Sequence, residues 1–274
     1  MRRAASYEFV TDAAGLVLSG DGSRRVGDTR ANVTSVLPPV ADKPRFVAAM
    51  FGRIAPRYDL MNTLMTLGQD ARWRRHVAEA LPPPAQHARV LDVGTGTGRL
   101  GLAVRELDPA WRVVGVDFTI EMLRQAPGDL DVAAGDAERL PFADSQFDAV
   151  VSGFVVRNLA DVERGLGEQV RVLRPGGALV VLETTPGPNG WLGPLYRLYF
   201  RRVVPVLGNV IAGDASAYTY LPESTLAFVQ PARLASLLRR SGLRDVRSRY
   251  LMLGCVAITV GYKPHMLPHA RRTL

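Results

Sequence analysis

The run Val90-Leu-Asp-Val-Gly-Thr-Gly-Thr-Gly98, followed by Val113-Val-Gly-Val-Asp117, constrains this chain more than any other stretch. One apolar segment ends in a Gly-rich turn. A second ends in a carboxylate, 19 residues past Gly98. Turn glycines let backbone approach a ligand closely, and an acid at the tip of the next strand accepts two ribose hydroxyls. The spacing predicts a nucleoside-binding site at the ends of two strands.

The surrounding pattern predicts the sheet that carries this site. Apolar runs at 89–93, 112–116, 147–151 and 178–182 are rich in Val and Leu, and a weaker run lies at 130–134. Runs apolar on both faces read as buried parallel strands. Helical patterns at 100–107 and 162–173 separate them. Alternating strand and helix implies a doubly wound α/β sheet with right-handed crossovers. After a helical pattern at 231–240, two strands near 244–250 and 254–261 are joined by a short turn and predict an antiparallel final hairpin. The expectation is a mostly parallel seven-stranded sheet.

Around this sheet, residues 1–42 lack periodicity and read as a poorly ordered N-terminal extension. Residues 43–264 form the domain. A helical N-terminal cap spans 43–81, ended by Pro82-Pro-Pro84. An apolar, basic and aromatic insert at 188–229 interrupts the alternation as a lid. Residues 265–274 are a tail.

Composition narrows the partners. Hydrophobic residues make up 47% of the 274 and charged residues 22%, ordinary for a globular chain. No run approaches 18 consecutive apolar residues, so no membrane-spanning helix is expected. The first residues are basic but lead into no long apolar region, which reads against a secretory signal. A single cysteine, Cys255, excludes an internal disulfide and a Cys-based metal cluster, and fits a reducing cytoplasm. His76, His87, His265 and His269 have no metal-ligand spacing, so no metal is expected. The net charge is +8, with 32 Arg and only two Lys among the 34 basic residues. The basic residues form no run of five or more, which argues against nucleic acid and leaves anionic lipid as the better-matched surface.

The loop also discriminates among cofactors. Gly96-Thr-Gly98-Arg-Leu-Gly101 satisfies the dinucleotide fingerprint G-x-G-x-x-G. However, Gly94 already occupies the strand end, and Asp92 sits two residues earlier. A carboxylate there disfavours a pyrophosphate and suits a cationic amino-acid ligand. S-adenosylmethionine has no phosphate and carries a sulfonium and an ammonium. In this reading Asp92, Gly94, Thr95, Gly96 and Gly98 lie under its methionine half. Asp117, with Phe118 beside it, holds the ribose. Asp136 and Ala137, after the third strand, meet the adenine. The antiparallel final hairpin also separates methyltransferase sheets from dinucleotide-binding ones. A nicotinamide oxidoreductase rests only on the shifted glycine pattern.

Further motifs stand in one order over roughly 43–264. They are Tyr58-Asp-Leu-Met-Asn62, Trp73, Val156-Arg-Asn158, Arg171-Val-Leu-Arg-Pro-Gly-Gly177, Leu182-Glu183, Tyr218-Thr-Tyr-Leu-Pro-Glu-Ser224 and Gly254 through Gly261-Tyr-Lys263. In these the chain resembles the ubiquinone/menaquinone biosynthesis C-methyltransferases. The resemblance implies a Rossmann-like methyltransferase fold and transfer of a methyl group to a ring carbon of a polyprenylated quinol, such as demethylmenaquinol. The chain departs from the family pattern at Thr63, Thr66, Asp70, Thr185 and Ile258-Thr259-Val260, all in substrate-side segments. A natural-product or small-phenol C- or O-methyltransferase therefore stays open, as does a non-catalytic cofactor-binding partner protein.

For a quinol acceptor, ionising a ring hydroxyl pushes electron density onto the neighbouring carbon. Arg157 is expected to stabilise that oxyanion and to stay protonated. Asn158 would orient the same oxygen or the cofactor. Tyr58 and Tyr218 would hydrogen-bond the ring oxygens, and Asp59 would lie near the methionine ammonium. Structural alternatives accompany each role: core packing for the tyrosines, an ion pair for Arg157, and an arginine partner for Glu223. The segment Trp191–Val204 mixes aromatics with three arginines and reads either as a lid helix or as a surface lying on a membrane. The expected location is cytoplasmic, peripheral on the inner membrane face if the segment meets lipid.

Overall fold

The computed structural model describes residues 38–39, 41–188, 190–212, 214, 217–226 and 228–265. The extension expected at 1–42 and the tail expected at 265–274 lie almost wholly outside the described residues.

Seven strands form one sheet: β1 (Arg89–Val93), β2 (Arg112–Asp117), β3 (Asp131–Ala134), β4 (Phe147–Gly153), β5 (Leu173–Thr184), β6 (Arg244–Leu251) and β7 (Val256–Tyr262). Their order is β3-β2-β1-β4-β5-β7-β6. The first five are mutually parallel, as their uniformly apolar runs require. The final hairpin is antiparallel within itself, and β7 is inserted between β5 and β6. Since β7 opposes both neighbours, it alone is reversed. The crossover from β5 leaves one strand-width open, and the short turn after β6 sends β7 back into it. At the edge, β6 carries Arg244, Arg247 and Arg249, charges that discourage further pairing.

Helices cover both faces. On one, α6 (Val162–Val172) and α10 (Pro231–Arg240) bury Leu166, Val170, Leu234 and Leu238. On the other, α3 (Gln69–Glu79) and α4 (Arg99–Leu107) bury Trp73, Val77, Leu100 and Val104. A third core lies above the strand ends. There α1 (Lys43–Ile54) and α2 (Tyr58–Thr66) pack with α8 (Val204–Leu207) and α9 (Ala217–Leu226) through Met50, Ile54, Met61, Val204 and Tyr218. The N-terminal helices and the distant insert therefore share one core.

The seam between β5, β7 and α6 is closed by a lysine. Lys263 Nζ donates to the carbonyls of Val170 (2.8 Å), Arg171 (3.3 Å) and Leu173 (2.6 Å). These are among the orphan carbonyls at the end of α6. Hydrogen bonds from charged donors contribute about 1.5–3 kcal/mol. Lys263→Met is expected to lower unfolding stability by about 1.5–3 kcal/mol. Denaturant titration should show this as a lower midpoint at unchanged slope. Lys263→Arg should recover little of it, because a planar guanidinium cannot converge on several carbonyls from one nitrogen.

Candidate active site

Two cavities meet above the carboxyl ends of β1, β2 and β4. One, of about 160 Å³, is lined by the Gly94–Gly96 turn, Asp117, Phe118, Asp136, Ala137 and Asn158. The other, of about 150 Å³, is mostly apolar and lined by Tyr199, Phe200, Val204, Leu221, Met252 and Arg157 among others. Tyr58 and Phe154 line both.

The loop after β1 is built for close approach. Gly94, Gly96 and Gly98 have φ of +64°, +56° and +81°. A Cβ at Gly94 would stand 2.2 Å from Val155, whereas one at Gly96 would meet nothing within 4 Å. The backbone at Gly96 therefore faces open space of the kind a ligand fills. Gly94 and Thr95 donate their N–H groups to the Val116 carbonyl (2.8 and 3.0 Å). Gly115 makes this seating possible, since a Cβ there would lie 2.8 Å from Thr95.

Two carboxylates hold the loop. Asp117 accepts from Gly96 N–H (2.9 Å) and Thr119 N–H (2.8 Å), and burial raises its carboxyl above the usual range. Asp92 is 1% exposed. Its Oδ2 accepts from Thr95 Oγ1 (2.7 Å) and Gly101 N–H (2.9 Å), while Oδ1 has no partner among the described residues. Burial pushes Asp92 up to about 7. Asp92 lines a small pocket with Arg74, Arg99, Thr95 and Thr97. An unpaired buried carboxylate oxygen beside an open glycine turn fits the cationic methionine half of S-adenosylmethionine.

Asp59 does not line either cavity. It accepts from Thr97 Oγ1 (2.8 Å) and Arg99 Nε (3.0 Å), so it fastens the loop from outside. Asp136, exposed in a turn, accepts from Glu138 N–H (2.8 Å).

Arg157 and Asn158 belong to one 3-10 turn, Val156–Asn158, after β4. Their side chains serve different cavities, Arg157 the apolar one and Asn158 the cofactor one. Arg157 is 9% exposed and forms a close ion pair with Glu183 at the end of β5. Its Nε has no partner among the described residues, and its guanidinium lies 5.5 Å over the Phe154 ring. Asn158 donates to the Phe154 carbonyl (3.1 Å) and accepts from Tyr220 Oη (3.3 Å).

Tyr218 requires a correction. It is fully buried in the third core, its hydroxyl unpaired among the described residues, and it lines neither cavity. Residues two apart on a helix point about 200° from each other, so Tyr220 faces Asn158 instead. Tyr58 does reach the cavities, and burial raises its phenol so that it stays a neutral donor. Tyr196 and Tyr199, from the insert, also line the apolar cavity, with Tyr199 Oη donating to the Met65 carbonyl (2.9 Å). Sequence reasoning did not assign them. Their only signal was aromatic density in the insert.

Asp70 is a further addition. It is 4% exposed, pairs with Arg74 (2.6 Å), accepts from Thr66 Oγ1 (3.2 Å), and is the one carboxylate among the described residues lining the apolar cavity. Cys255, expected within a strand, sits just before β7 and lines the same cavity, where burial pushes its thiol up to about 11. Glu223 pairs with Arg201 (3.3 Å).

The sequence model of the ubiE/COQ5 methyltransferase family matches residues 40–263. The chain belongs to that family. Demethylmenaquinone methyltransferase of Deinococcus radiodurans is 47% identical over 82% of this chain and 97% of its own length. The enzyme of that name from Thermus thermophilus is 47% identical over 78% of this chain and 100% of its own. Among solved structures, an S-adenosylmethionine-dependent methyltransferase from Thermotoga maritima, titled a possible histamine N-methyltransferase, matches with a TM-score of 0.59. It is 20% identical and covers 78% of this chain and 98% of its own, which establishes the fold alone. This family member is an S-adenosylmethionine-dependent methyltransferase, and the nicotinamide alternative falls away.

Ionised Asp92 is what a cationic ligand requires, and the proton held up to about pH 7 must leave on binding. Affinity for S-adenosylmethionine is therefore expected to rise severalfold between about pH 6 and 7.5 and then level off. Isothermal titration across that range checks it. Asp92→Asn should bind more weakly and lose the slope.

Proposed function

We propose that this methyltransferase methylates a ring carbon of a lipid-tailed quinol, with demethylmenaquinol as the acceptor. The supporting observation is a buried, partly satisfied guanidinium, that of Arg157, in the wall of an apolar aromatic cavity adjoining the cofactor cavity. A quinol ring matches the apolar lining, and its ionised hydroxyl matches the guanidinium. The names of the 47%-identical relatives agree with this acceptor.

The chain's own residues then have distinct tasks. Bound S-adenosylmethionine supplies an activated methyl group. Glu183 fixes the Arg157 guanidinium, and its remaining donors stabilise the ring oxyanion by charge-assisted hydrogen bonds. A guanidinium is a hydrogen-bond donor only, so Arg157 is not the base. The hydroxyl proton passes to the Asp70 carboxylate, and the proton displaced from the ring carbon leaves to water. Tyr58, on the border of the two cavities, donates to the acceptor and keeps the ring beside the cofactor. The apolar walls seat the ring.

The reading extends to a lipid surface. No helix among the described residues is long and apolar enough to cross a membrane. Exposed apolar residues nevertheless adjoin the acceptor cavity's lining in sequence. Leu67 and Leu253 are 81% and 77% exposed, and both adopt left-handed backbone (φ +53° and +56°) where glycine or asparagine is the easy choice. Leu67 follows the cavity-lining Met65 and Thr66, and Leu253 follows the cavity-lining Met252. Trp191, Leu195 and Leu198 are exposed on the insert, with Arg197, Arg201 and Arg202 among them. Apolar tips flanked by arginine suit an anionic bilayer from which a lipid-tailed ring enters.

Label from S-adenosylmethionine should appear on the ring carbon of reduced demethylmenaquinone, and transfer only to oxygen or to a phenol would displace this reading. Arg157→Ala is expected to lower kcat by roughly 10- to 100-fold while leaving cofactor affinity unchanged. Equal losses in both would argue for a purely structural arginine. In flotation with phosphatidylglycerol vesicles, Leu67→Asp with Leu253→Asp should abolish most binding and leave cofactor affinity intact. Binding at wild-type strength would remove the lipid surface from the proposal.

A further inference from the structure

Lys43 stands out by composition and by geometry. Only two of 34 basic residues are lysine, and each ammonium converges on backbone carbonyls. Lys263 closes the sheet seam. Lys43, at the start of α1, donates to the carbonyls of Arg157 (2.9 Å) and Leu159 (2.7 Å), more than a hundred residues away. A chain that otherwise uses arginine keeps lysine where one nitrogen must reach two or three acceptors from a compact, tetrahedral head.

The two bonds join parts of the molecule that matter together. Pro44, Val47 and Phe51 of α1 form one wall of the cofactor cavity, facing the Gly94–Gly96 turn and Asp117. Of the carbonyls that Lys43 holds, one belongs to Arg157 inside the turn and the other to Leu159, the residue that ends it. The Lys43 ammonium is half-buried, and burial lowers its affinity for the proton, with Glu138 opposing that shift. A buried ammonium carries a desolvation cost that satisfied acceptors offset.

We propose that Lys43 is a positioning residue that latches α1 over the cofactor cavity and, by the same two bonds, sets the Arg157–Asn158 turn in its working geometry. Covering the cofactor and completing the catalytic turn thereby become one event. Lys43 touches neither reacting group, and its effect runs through the carbonyls of Arg157 and Leu159. The second half of this proposal rests on the role given to Arg157 above, whereas the first half concerns cofactor retention alone.

Two readouts separate them. In stopped-flow displacement, Lys43→Met is expected to release S-adenosylmethionine about tenfold faster or more. In turnover with demethylmenaquinol, it should lose about tenfold or more in kcat with acceptor KM nearly unchanged. Lys43→Arg should repair neither. In Lys43→Ala, n-propylammonium should restore kcat in a saturable way, and n-propanol should not, a rescue that generic loss of stability would not permit. Wild-type cofactor release and kcat within twofold of wild type in Lys43→Met would overturn the latch, as would failure of the amine to rescue Lys43→Ala. If wild-type protein binds cofactor but methylates no quinol, the acceptor reading fails, and cofactor release from Lys43→Met still decides the latch.

Discussion

Two buried carboxylates at adjoining strand ends hold the centre of this enzyme. Burial raises the cost of ionising both, and at Asp92 the Asp117 charge adds to it, yet Asp117 is held by the N–H groups of Gly96 and Thr119 and Asp92 by a hydroxyl and one N–H. Negative charge is thus held without a formal counter-ion bonded to it, which a low-dielectric site tolerates poorly. Those same bonds give the glycine turn its shape, and the turn's shape requires Gly115 in the middle of β2. Sheet, loop and charge form one construction. A cationic ligand supplies what the folded chain lacks.

The second half of the site has a different origin. The acceptor cavity draws on α2, α3, the turn after β4 and the insert, segments far apart in sequence. Their common core explains why the insert belongs here and is not an appended lobe. Three phenols share its polar lining with Asn62 and three threonines, and burial raises Tyr58, Tyr196 and Tyr199, so they remain donors at neutral pH. The strong charges, Arg157 with Glu183 and Arg74 with Asp70, are paired ones. An apolar ring can enter without stripping water from an isolated ion.

The sheet was legible because buried parallel strands leave uniformly apolar runs, and all seven lie within a few residues of their expected places. The insertion of β7 beside β5 was not, since a hairpin's sequence does not say which of its strands pairs inward. The glycine turn and Asp117 were legible from chemistry that is local in sequence. Tyr218 was misread because a Tyr-x-Tyr pair on a helix presents only one ring to a given neighbour. Glu183 was visible as part of a motif, but its partner lies 26 residues away, across a sheet register that composition does not encode. Asp70 entered only as a departure from a family pattern. Its burial against Arg74 comes from helix packing.

The scarcity of lysine has a practical side. Amine-selective acylation finds only two side-chain targets in the whole chain. Burial draws both ammonium groups below the ordinary lysine range, which frees more of the nucleophilic amine, while the surrounding carbonyls and packing restrict access to it. Acylation at residue 43 then becomes a footprint of one helix lifting from the domain, and residue 263 serves as the internal reference on the rigid sheet.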